Sequence, residues 1–373
     1  MSAVDDAARA RQALQPDGAR RRRYAAPPGE ESIGVARLLA SWRYALATCN
    51  PPRGGVDPVT RWLVLTRACS QPMTLTAAAF AGLLAVRAPG FNAWLYALAA
   101  VGIVVAHASN NLMNDVFDMD VGADTQDYPR ALYAPHAILS GMTTRAGLMR
   151  AAVATNVVDL AIMLVLLYYR GWPVVAFAVA GVLISAAYAA PPLRLKKRGL
   201  GEPSVLVIWG PLMVGGTYFA ATGHIGWAVI AASIPYALLA TAVLMGKHID
   251  KLPWDRKRGI GTLPVRLGEA LSRQVTMGLM VAFYVAVVGL VAVGWLPLAA
   301  LVALLGITRL IPVLRNYSRP RPDQPPPGYP IWPLWYAASA FVHTRRAGAL
   351  LVVGMIAGTV LTPLGPLHGL ATQ

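Results

Sequence analysis

The sequence predicts an all-α, polytopic membrane protein, and two observations lead to that fold class. Of its 373 residues, 56% are hydrophobic and only 13% are charged, whereas a soluble domain carries roughly 25% charged residues. Long apolar runs recur along the chain, each near the ~20 residues that a helix needs to cross a bilayer. A helix satisfies its own backbone groups in lipid, so these runs are predicted to be helices.

The N-terminal 65 residues are predicted to lie outside the membrane body, which we assign to 66–373. Residues 1–32 are basic and lack an apolar core, so they indicate a disordered tail and no cleavable signal peptide. Residues 33–48 carry apolar side chains at helical spacing with Arg37 and Arg43 between them. That pattern predicts a helix in the membrane interface; an ordinary disordered leader is the alternative.

The membrane body is predicted to contain about nine spans. They lie near residues 72–88, 93–112, 147–169, 173–189, 204–222, 225–246, 275–294, 296–314 and 347–364. Before the last span, residues 317–329 are too rich in proline for a helix, and residues 331–344 are predicted to form an interfacial helix.

The net charge is +16, and its distribution argues against nucleic acid as the partner. Basic residues gather in alternate loops, around 194–198, 251–273 and 315–346, whereas the loops between them hold little beyond Arg87 and Arg170. This is the positive-inside bias. It predicts a multi-pass protein of the cell (inner) membrane with its N-terminus and its acidic and basic loops in the cytoplasm, some of them facing anionic membrane lipids.

The chain has two cysteines, Cys49 and Cys69. Two cysteines are too few for a disulfide framework, and neither has neighbours at metal-ligand spacing. The sequence therefore predicts neither a disulfide scaffold nor a cysteine-bound metal.

Two acidic segments lie four predicted spans apart on the same side of the membrane. Residues 114–145 follow the second span, and residues 248–273 follow the sixth. Two similar helix groups related by pseudo-symmetry would bring these segments together over one central cavity.

The first acidic segment, Asn111-Leu-Met-Asn-Asp-Val-Phe-Asp118, ends an apolar run that begins near Ala93. Asn111, Asp115 and Asp118 are spaced i, i+4 and i+7, so one helix face carries them. Carboxylates this close repel each other unless a cation lies between them. Hard oxygen ligands suit Mg²⁺, which in turn suits a diphosphate. The alternative is a solvated helix end.

Two further segments carry complementary chemistry. In Lys247-His-Ile-Asp250-Lys-Leu-Pro-Trp-Asp255, the two aspartates suit a second Mg²⁺ and the lysine suits phosphate oxygens; an ordinary charged loop is the alternative. In Tyr188-Ala-Ala-Pro-Pro-Leu-Arg-Leu-Lys196-Lys-Arg-Gly-Leu-Gly-Glu202, basic residues suit the diphosphate and glycines allow close backbone approach. The positive-inside bias of cytoplasmic loops would by itself also explain those basic residues.

Together these motifs resemble the UbiA superfamily of intramembrane prenyltransferases. The resemblance rests on Asn114-Asp-x-x-Asp118 with Asp124 beyond it, then Asp250 and Asp255 before Gly-x-x-Thr-Leu, and it covers most of residues 66–310. Within the superfamily, the chain is most similar to the 1,4-dihydroxy-2-naphthoate polyprenyltransferases of menaquinone biosynthesis. That similarity rests on the first motif with its longer gap to Asp124, on Gly199-Leu-Gly-Glu202, and on Gly210-Pro-Leu followed by Gly216-Thr-Tyr218.

The resemblance implies a fold of nine spans around a cavity that opens to lipid, and a Mg²⁺-dependent reaction. Two Mg²⁺ ions bind a polyprenyl diphosphate and stabilise the departing pyrophosphate, and the allylic cation is captured by an aromatic or other lipophilic acceptor. The implied metal ligands are Asp115, Asp118, Asp124, Asp250 and Asp255, and all but Asp124 are also implied to be catalytic. The implied substrate-binding residues are Asn111, Asn114, Arg130, Tyr188, Lys196 and Lys247.

The second motif departs from that branch, which usually reads Asn-Asn-x-Arg-Asp. Here Met245-Gly-Lys-His-Ile249 precedes Asp250, and the gap to Asp255 is one residue longer. The departures leave diphosphate chemistry in place and leave the acceptor open. Two alternatives therefore stay open: a terpene cyclase on the same scaffold, which needs no acceptor, and a cation-coupled transporter, although transporter carboxylates usually lie at mid-membrane.

Overall fold

A computed structural model of the chain describes residues 34–52, 56–120, 129, 136–329 and 331–361. The predicted disorder of residues 1–32 lies outside these residues and stays a prediction. The described α-helices are α1 (Val35–Thr48), α2 (Pro58–Leu65), α3 (Gln71–Ala85), α4 (Ala93–Asp120), α5 (Arg145–Arg170), α6 (Pro173–Ala189), α7 (Gly201–Val207), α8 (Gly216–Thr222), α9 (Trp227–Lys257), α10 (Leu263–Leu267), α11 (Glu269–Ala292), α12 (Ile307–Tyr317) and α13 (Tyr336–Leu361). Short 3₁₀ segments cover Ala68–Ser70, Leu195–Arg198 and Leu298–Gly306, and a π-helical segment covers Ile208–Gly215.

Within the described residues, eight helical stretches are long and apolar enough to cross a membrane. They are Ala68–Ala85, Ala93–Met119, Arg145–Arg170, Gly201–Thr222, Trp227–Lys257, Glu269–Ala292, Leu298–Tyr317 and Tyr336–Leu361. The shorter apolar helix Pro173–Ala189 lies where the remaining predicted span was placed. The all-α, multi-pass membrane fold is therefore confirmed.

Two helix ends differ from the prediction. Helix α9 continues to Lys257 through Pro253, so Asp250 and Asp255 lie on a helix and not in a loop. Residues 331–335 of the predicted interfacial helix are not helical, and residues 336–344 continue into the predicted last span as one helix, α13. Apolar periodicity marks the part of a helix that lies in lipid, and it says little about where a helix ends among polar residues.

The chain divides into two compact units. Unit one contains the described residues of Met1–Gln71, His107–Thr155 and Pro322–Trp335. Unit two contains those of Pro72–Ala106, Asn156–Arg321 and Tyr336–Gln373.

The apolar core of unit one fixes the rotation of α4. Leu112 and Val116, one helical turn apart, are fully buried against Leu65, Ala137 and Leu148. Since these two residues anchor one face of α4 in the core, the neighbouring face with the first acidic segment is held in place as well. Core packing thus positions the polar residues of α4.

The N-terminal part of unit one folds back on itself. Helix α1 is observed within the predicted 33–48 segment, and Val35 and Leu39 on it are exposed; its place in the membrane interface stays a prediction. Cys49 at the end of α1 forms a disulfide with Cys69, with 5.3 Å between their Cα atoms. The sequence alone did not predict this bond, because the pairing depends on the reversal of the chain through α2.

Asp57 begins α2 and holds it to α1. One carboxylate oxygen accepts the backbone N–H groups of Val59 and Thr60, each at 3.0 Å, and the indole N–H of Trp42, also at 3.0 Å. The Thr60 hydroxyl donates to the other oxygen. Burial raises the pKa of Asp57, but these hydrogen bonds outweigh it, so the pKa lies below its usual value of 3.8.

Replacing Asp57 by Ala is expected to destabilise unit one by about 1–2 kcal/mol, because it removes an N-cap. A carboxylate with a lowered folded-state pKa stabilises the fold above its unfolded pKa, and that stabilisation is lost as the pH falls through the folded pKa. Thermal unfolding of the detergent-solubilised protein at neutral and acid pH tests this: the difference between wild type and Asp57→Ala should shrink on acidification. Asp57→Asn, which still caps, is the control; equal stability of the Ala variant at neutral pH would contradict the assignment.

In unit two, α9 is the central helix. It packs against α7, α11, α13 and the π-helical segment, and a second apolar cluster joins Leu95, Leu166, Val174 and Phe219. The π-helical segment contains Pro211, whose missing N–H removes one helical hydrogen bond and accommodates the wider turn.

Two arginines in the otherwise weakly charged loops bind backbone carbonyls. Arg170 donates to the carbonyl oxygens of Ala220 at 2.9 Å, Ala221 at 2.6 Å and Gly90 at 3.0 Å. Arg87 donates to the carbonyl oxygen of Thr359. Both guanidinium groups therefore donate hydrogen bonds to carbonyl groups near helix ends. The last carbonyl groups of a helix lack partners within that helix.

Candidate functional site

The first acidic segment occupies the last turns of α4, in unit one. Its four polar side chains are all buried, those of Asn111, Asn114, Asp115 and Asp118. They lie on adjoining faces of the helix that pack against protein. The amide of Asn111 donates to the carbonyl oxygen of Thr66 at 3.0 Å. This bond ties α4 to the chain between α2 and the 3₁₀ turn at Ala68–Ser70.

Arg67 contacts the first acidic segment, although the sequence did not identify it as a candidate site residue. Its backbone is left-handed (φ 52°) at the turn before Ala68, and its guanidinium forms an ion pair with the buried carboxylate of Asp115. A left-handed conformation is uncommon for a residue with a side chain. The sequence signal was weak, since a basic residue 48 positions away from Asp115 is no local motif.

The donor set on α4 fits a hard cation. The Asn114 side-chain oxygen is buried and accepts no hydrogen bond within the described part of the chain, so it is an oxygen donor in need of a partner. Two carboxylates and an amide oxygen are ligands that Mg²⁺ accepts, with water and phosphate completing its coordination. No group of three or more His, Cys, Asp or Glu side chains able to hold a metal occurs among the described residues. Asp124 and Arg130 lie outside them.

The second acidic segment lies on α9, in unit two, and Asp250 there is fully buried. Its two carboxylate oxygens accept the backbone N–H groups of Tyr336 at 3.0 Å and Ala337 at 2.8 Å. Arg321 donates to the Asp250 carbonyl oxygen at 2.9 Å, and its guanidinium lies 3.9 Å from a carboxylate oxygen. Asp250 thus contacts the start of α13.

Asp255 and Lys247 lie on the same helix. Asp255 is buried and Lys247 is partly buried. The Asp255 carbonyl oxygen accepts the N–H of Ile260 at 2.9 Å across a turn whose Gly259 has a φ of 66°. Only glycine adopts such a conformation without strain, which accounts for the glycine after the second motif.

The structure brings the third segment against the end of the second, within unit two. A Cβ at Gly261 would lie 2.9 Å from the Lys197 carbonyl oxygen. A Cβ at Gly201 would lie 3.2 Å from the Lys196 Cα and 3.3 Å from a ring carbon of Tyr188. A side chain at either glycine would collide with the third segment, and Tyr188 and Lys196 both lie against Gly201.

A buried pair joins the third segment to α9. The Glu202 carboxylate lies 2.6 Å from the His248 Nδ1, and both side chains are almost fully buried. A buried carboxylate is tolerated when it is paired in this way. His248 belongs to the stretch that departs from the naphthoate-branch pattern, so the departure supplies the partner of Glu202.

Comparison with known proteins identifies the family of the chain. The sequence model described as "UbiA prenyltransferase family" matches residues 75–335. The chain is 31% identical over 188 residues to a protein of Haemophilus influenzae named 1,4-dihydroxy-2-naphthoate octaprenyltransferase, covering 49% of this chain and 61% of that protein. It is 26% identical over 238 residues to a protein of Synechocystis sp. named 2-carboxy-1,4-naphthoquinone phytyltransferase, covering 62% of this chain and 72% of that protein.

A solved structure supports the fold. A UbiA homolog from Archaeoglobus fulgidus, bound to GPP and Mg²⁺, matches with a TM-score of 0.53 over 81% of this chain and 100% of that chain. The two sequences are 15% identical, so the likeness concerns the fold alone. The resemblance noted in the sequence is confirmed at the level of the family.

Proposed function

The chain belongs to the UbiA prenyltransferase family, and from that premise we propose that it transfers a polyprenyl group from a prenyl diphosphate to an aromatic acceptor within the membrane, with Mg²⁺ as its cofactor. The observation that carries this proposal is the buried face of α4, where Asp115 and Asp118 accompany an Asn114 oxygen that lacks a hydrogen-bond donor. Ionisable side chains buried at the end of a span are rare and mark a functional site.

Mg²⁺ held by these oxygens would neutralise the diphosphate and make pyrophosphate a better leaving group. The protein itself would supply diphosphate binding and protection from water. Cationic groups bind phosphate oxygens through charge-assisted hydrogen bonds, and the surrounding spans exclude water from the reactive carbocation. We assign metal binding to Asp115, Asp118, Asp124 and Asp255, diphosphate binding to Arg67, Arg130, Lys196 and Lys247, and the substrate cavity to Asn111, Asn114 and Tyr188. Asp250 is not among these metal ligands, because its carboxylate accepts backbone N–H groups.

For the acceptor we propose 1,4-dihydroxy-2-naphthoate. Support comes from the name of the Haemophilus relative and from the Gly199-Leu-Gly-Glu202 segment, which resembles the naphthoate branch. The chain spans 61% of that relative's length, so its whole activity is carried over here as a proposal. The positive-inside bias supports an inner-membrane protein with a cytoplasmic N-terminus and cytoplasmic acidic segments.

Pyrophosphate release tests the proposal. The purified protein is given Mg²⁺ and geranylgeranyl diphosphate, with and without 1,4-dihydroxy-2-naphthoate. We expect release that depends on the naphthoate and yields a prenylated product, because the acceptor captures the allylic cation. Release without an acceptor, together with a cyclised hydrocarbon, would assign the chain to the cyclases. Absence of release with donors of several chain lengths would reject catalysis and favour transport.

A further inference from the structure

Asp250 provides the hydrogen-bond acceptors for the start of α13. The first N–H groups of an α-helix have no partner within the helix, and leaving them unpaired in a buried place is costly. Here the first two, those of Tyr336 and Ala337, each donate to one oxygen of the Asp250 carboxylate, 86 and 87 residues earlier in the chain. The carboxylate therefore has the role of an N-cap, supplied by a neighbouring helix.

The charge of Asp250 is already compensated. A helix N-terminus carries roughly half a positive charge, and the Arg321 guanidinium lies 3.9 Å from one Asp250 oxygen. The side chain is completely buried, so these charges are only weakly screened. Both of its carboxylate oxygens already accept backbone N–H groups, and a divalent cation placed here would also face two positive groups. The Asp250 carboxylate therefore does not fit the role of a metal ligand.

The face of α9 around Asp250 is shaped for this contact. Gly246 lies one turn before Asp250, on the same face. A Cβ at Gly246 would lie 2.9 Å from the Ala337 nitrogen and 2.5 Å from the Tyr317 hydroxyl oxygen. That hydroxyl donates to the Tyr336 carbonyl oxygen at 2.9 Å. The absence of a side chain at Gly246 thus lets the start of α13 come within reach of Asp250.

We propose that Asp250 is a positioning residue: its carboxylate caps α13 and pairs with Arg321, and it does not bind Mg²⁺. The sequence motif therefore contains two aspartates with different tasks, and Asp255 is the one left for metal binding. This inference does not depend on the reaction proposed above, because it concerns contacts made without substrate or metal.

The test compares Asp250→Asn with Asp255→Asn, the same change on the same helix. Amide hydrogen exchange of the 336–345 region is measured in EDTA and without substrate, and Mn²⁺ affinity is measured separately. Asp250→Asn retains one oxygen, so the protein should fold, but exchange should rise at least about tenfold because a hydrogen bond to a charged group is lost. Its Mn²⁺ affinity should equal that of the wild type, whereas Asp255→Asn should leave exchange unchanged.

A measurement on the wild type covers the case in which Asp250→Asn does not fold. Exchange of the 336–345 region is followed while Mg²⁺ and inorganic pyrophosphate are added. The cap predicts unchanged protection, because Asp250 stays on α13. A rise in exchange on addition of Mg²⁺, or a loss of Mn²⁺ affinity in Asp250→Asn without faster exchange, would overturn the proposal and return Asp250 to the metal ligands.

Discussion

Replacing Asp118 by Asn is expected to lower pyrophosphate release at least about a thousandfold, the effect of losing roughly 4 kcal/mol of transition-state stabilisation. The substitution keeps the shape of the side chain and removes its charge. Since Asp118 is buried beside Asp115 and the Asn114 oxygen on α4, the neutral amide weakens any cation bound there. Rates are measured over a range of Mg²⁺ concentrations with geranylgeranyl diphosphate and 1,4-dihydroxy-2-naphthoate.

Asp323→Asn is the matched control, because it makes the same change at an exposed carboxylate in the proline-rich segment. It should retain wild-type turnover. The helical content and thermal unfolding of both variants should equal those of the wild type, which separates lost chemistry from lost structure. Near-normal turnover by Asp118→Asn at every Mg²⁺ concentration would remove α4 from the proposed metal site.

Replacing Gly246 by Ala is expected to be the most destabilising single-methyl change near the Asp250 contact. The new Cβ would lie 2.9 Å from both the Ala337 nitrogen and the Tyr336 carbonyl carbon. These are backbone atoms, which cannot turn aside as a flexible side chain can. Overpacking of this kind costs typically about 1–3 kcal/mol, so the melting temperature and the yield of folded protein should fall.

The control is Gly278→Ala in α11, a helical glycine with no atom within 4 Å of the Cβ position. Alanine is favoured over glycine inside a helix by about 1 kcal/mol, so this variant should be at least as stable as the wild type. Equal melting temperatures for the two variants would show that α13 does not approach α9 as closely as described.

The spans were predictable because each depends on a local property, the apolar run. The face of α4 was predictable for the same reason: Asn111, Asp115 and Asp118 follow helical spacing, and a single helix contains all three.

The partners of Asp250 could not be predicted, because they are backbone N–H groups 86 and 87 residues away. Any residue type offers a backbone N–H, so no pattern of side chains reveals the contact. The Arg67–Asp115 ion pair and the Cys49–Cys69 disulfide likewise depend on how α2 reverses the chain. The sequence alone does not distinguish a charged side chain that binds a metal from one that caps a helix.

The carbonyl contacts of Arg87 and Arg170 change how the charge pattern of the loops should be counted. Topology rules count every lysine and arginine alike, yet these two guanidinium groups are bound to backbone oxygens of their own protein. Charge already engaged in this way is less available to water or to lipid headgroups. Arginines of the basic loops, Arg198, Arg266 and Arg273, bind backbone carbonyl oxygens as well. In both sets of loops, the sequence count therefore exceeds the positive charge that is available to solvent.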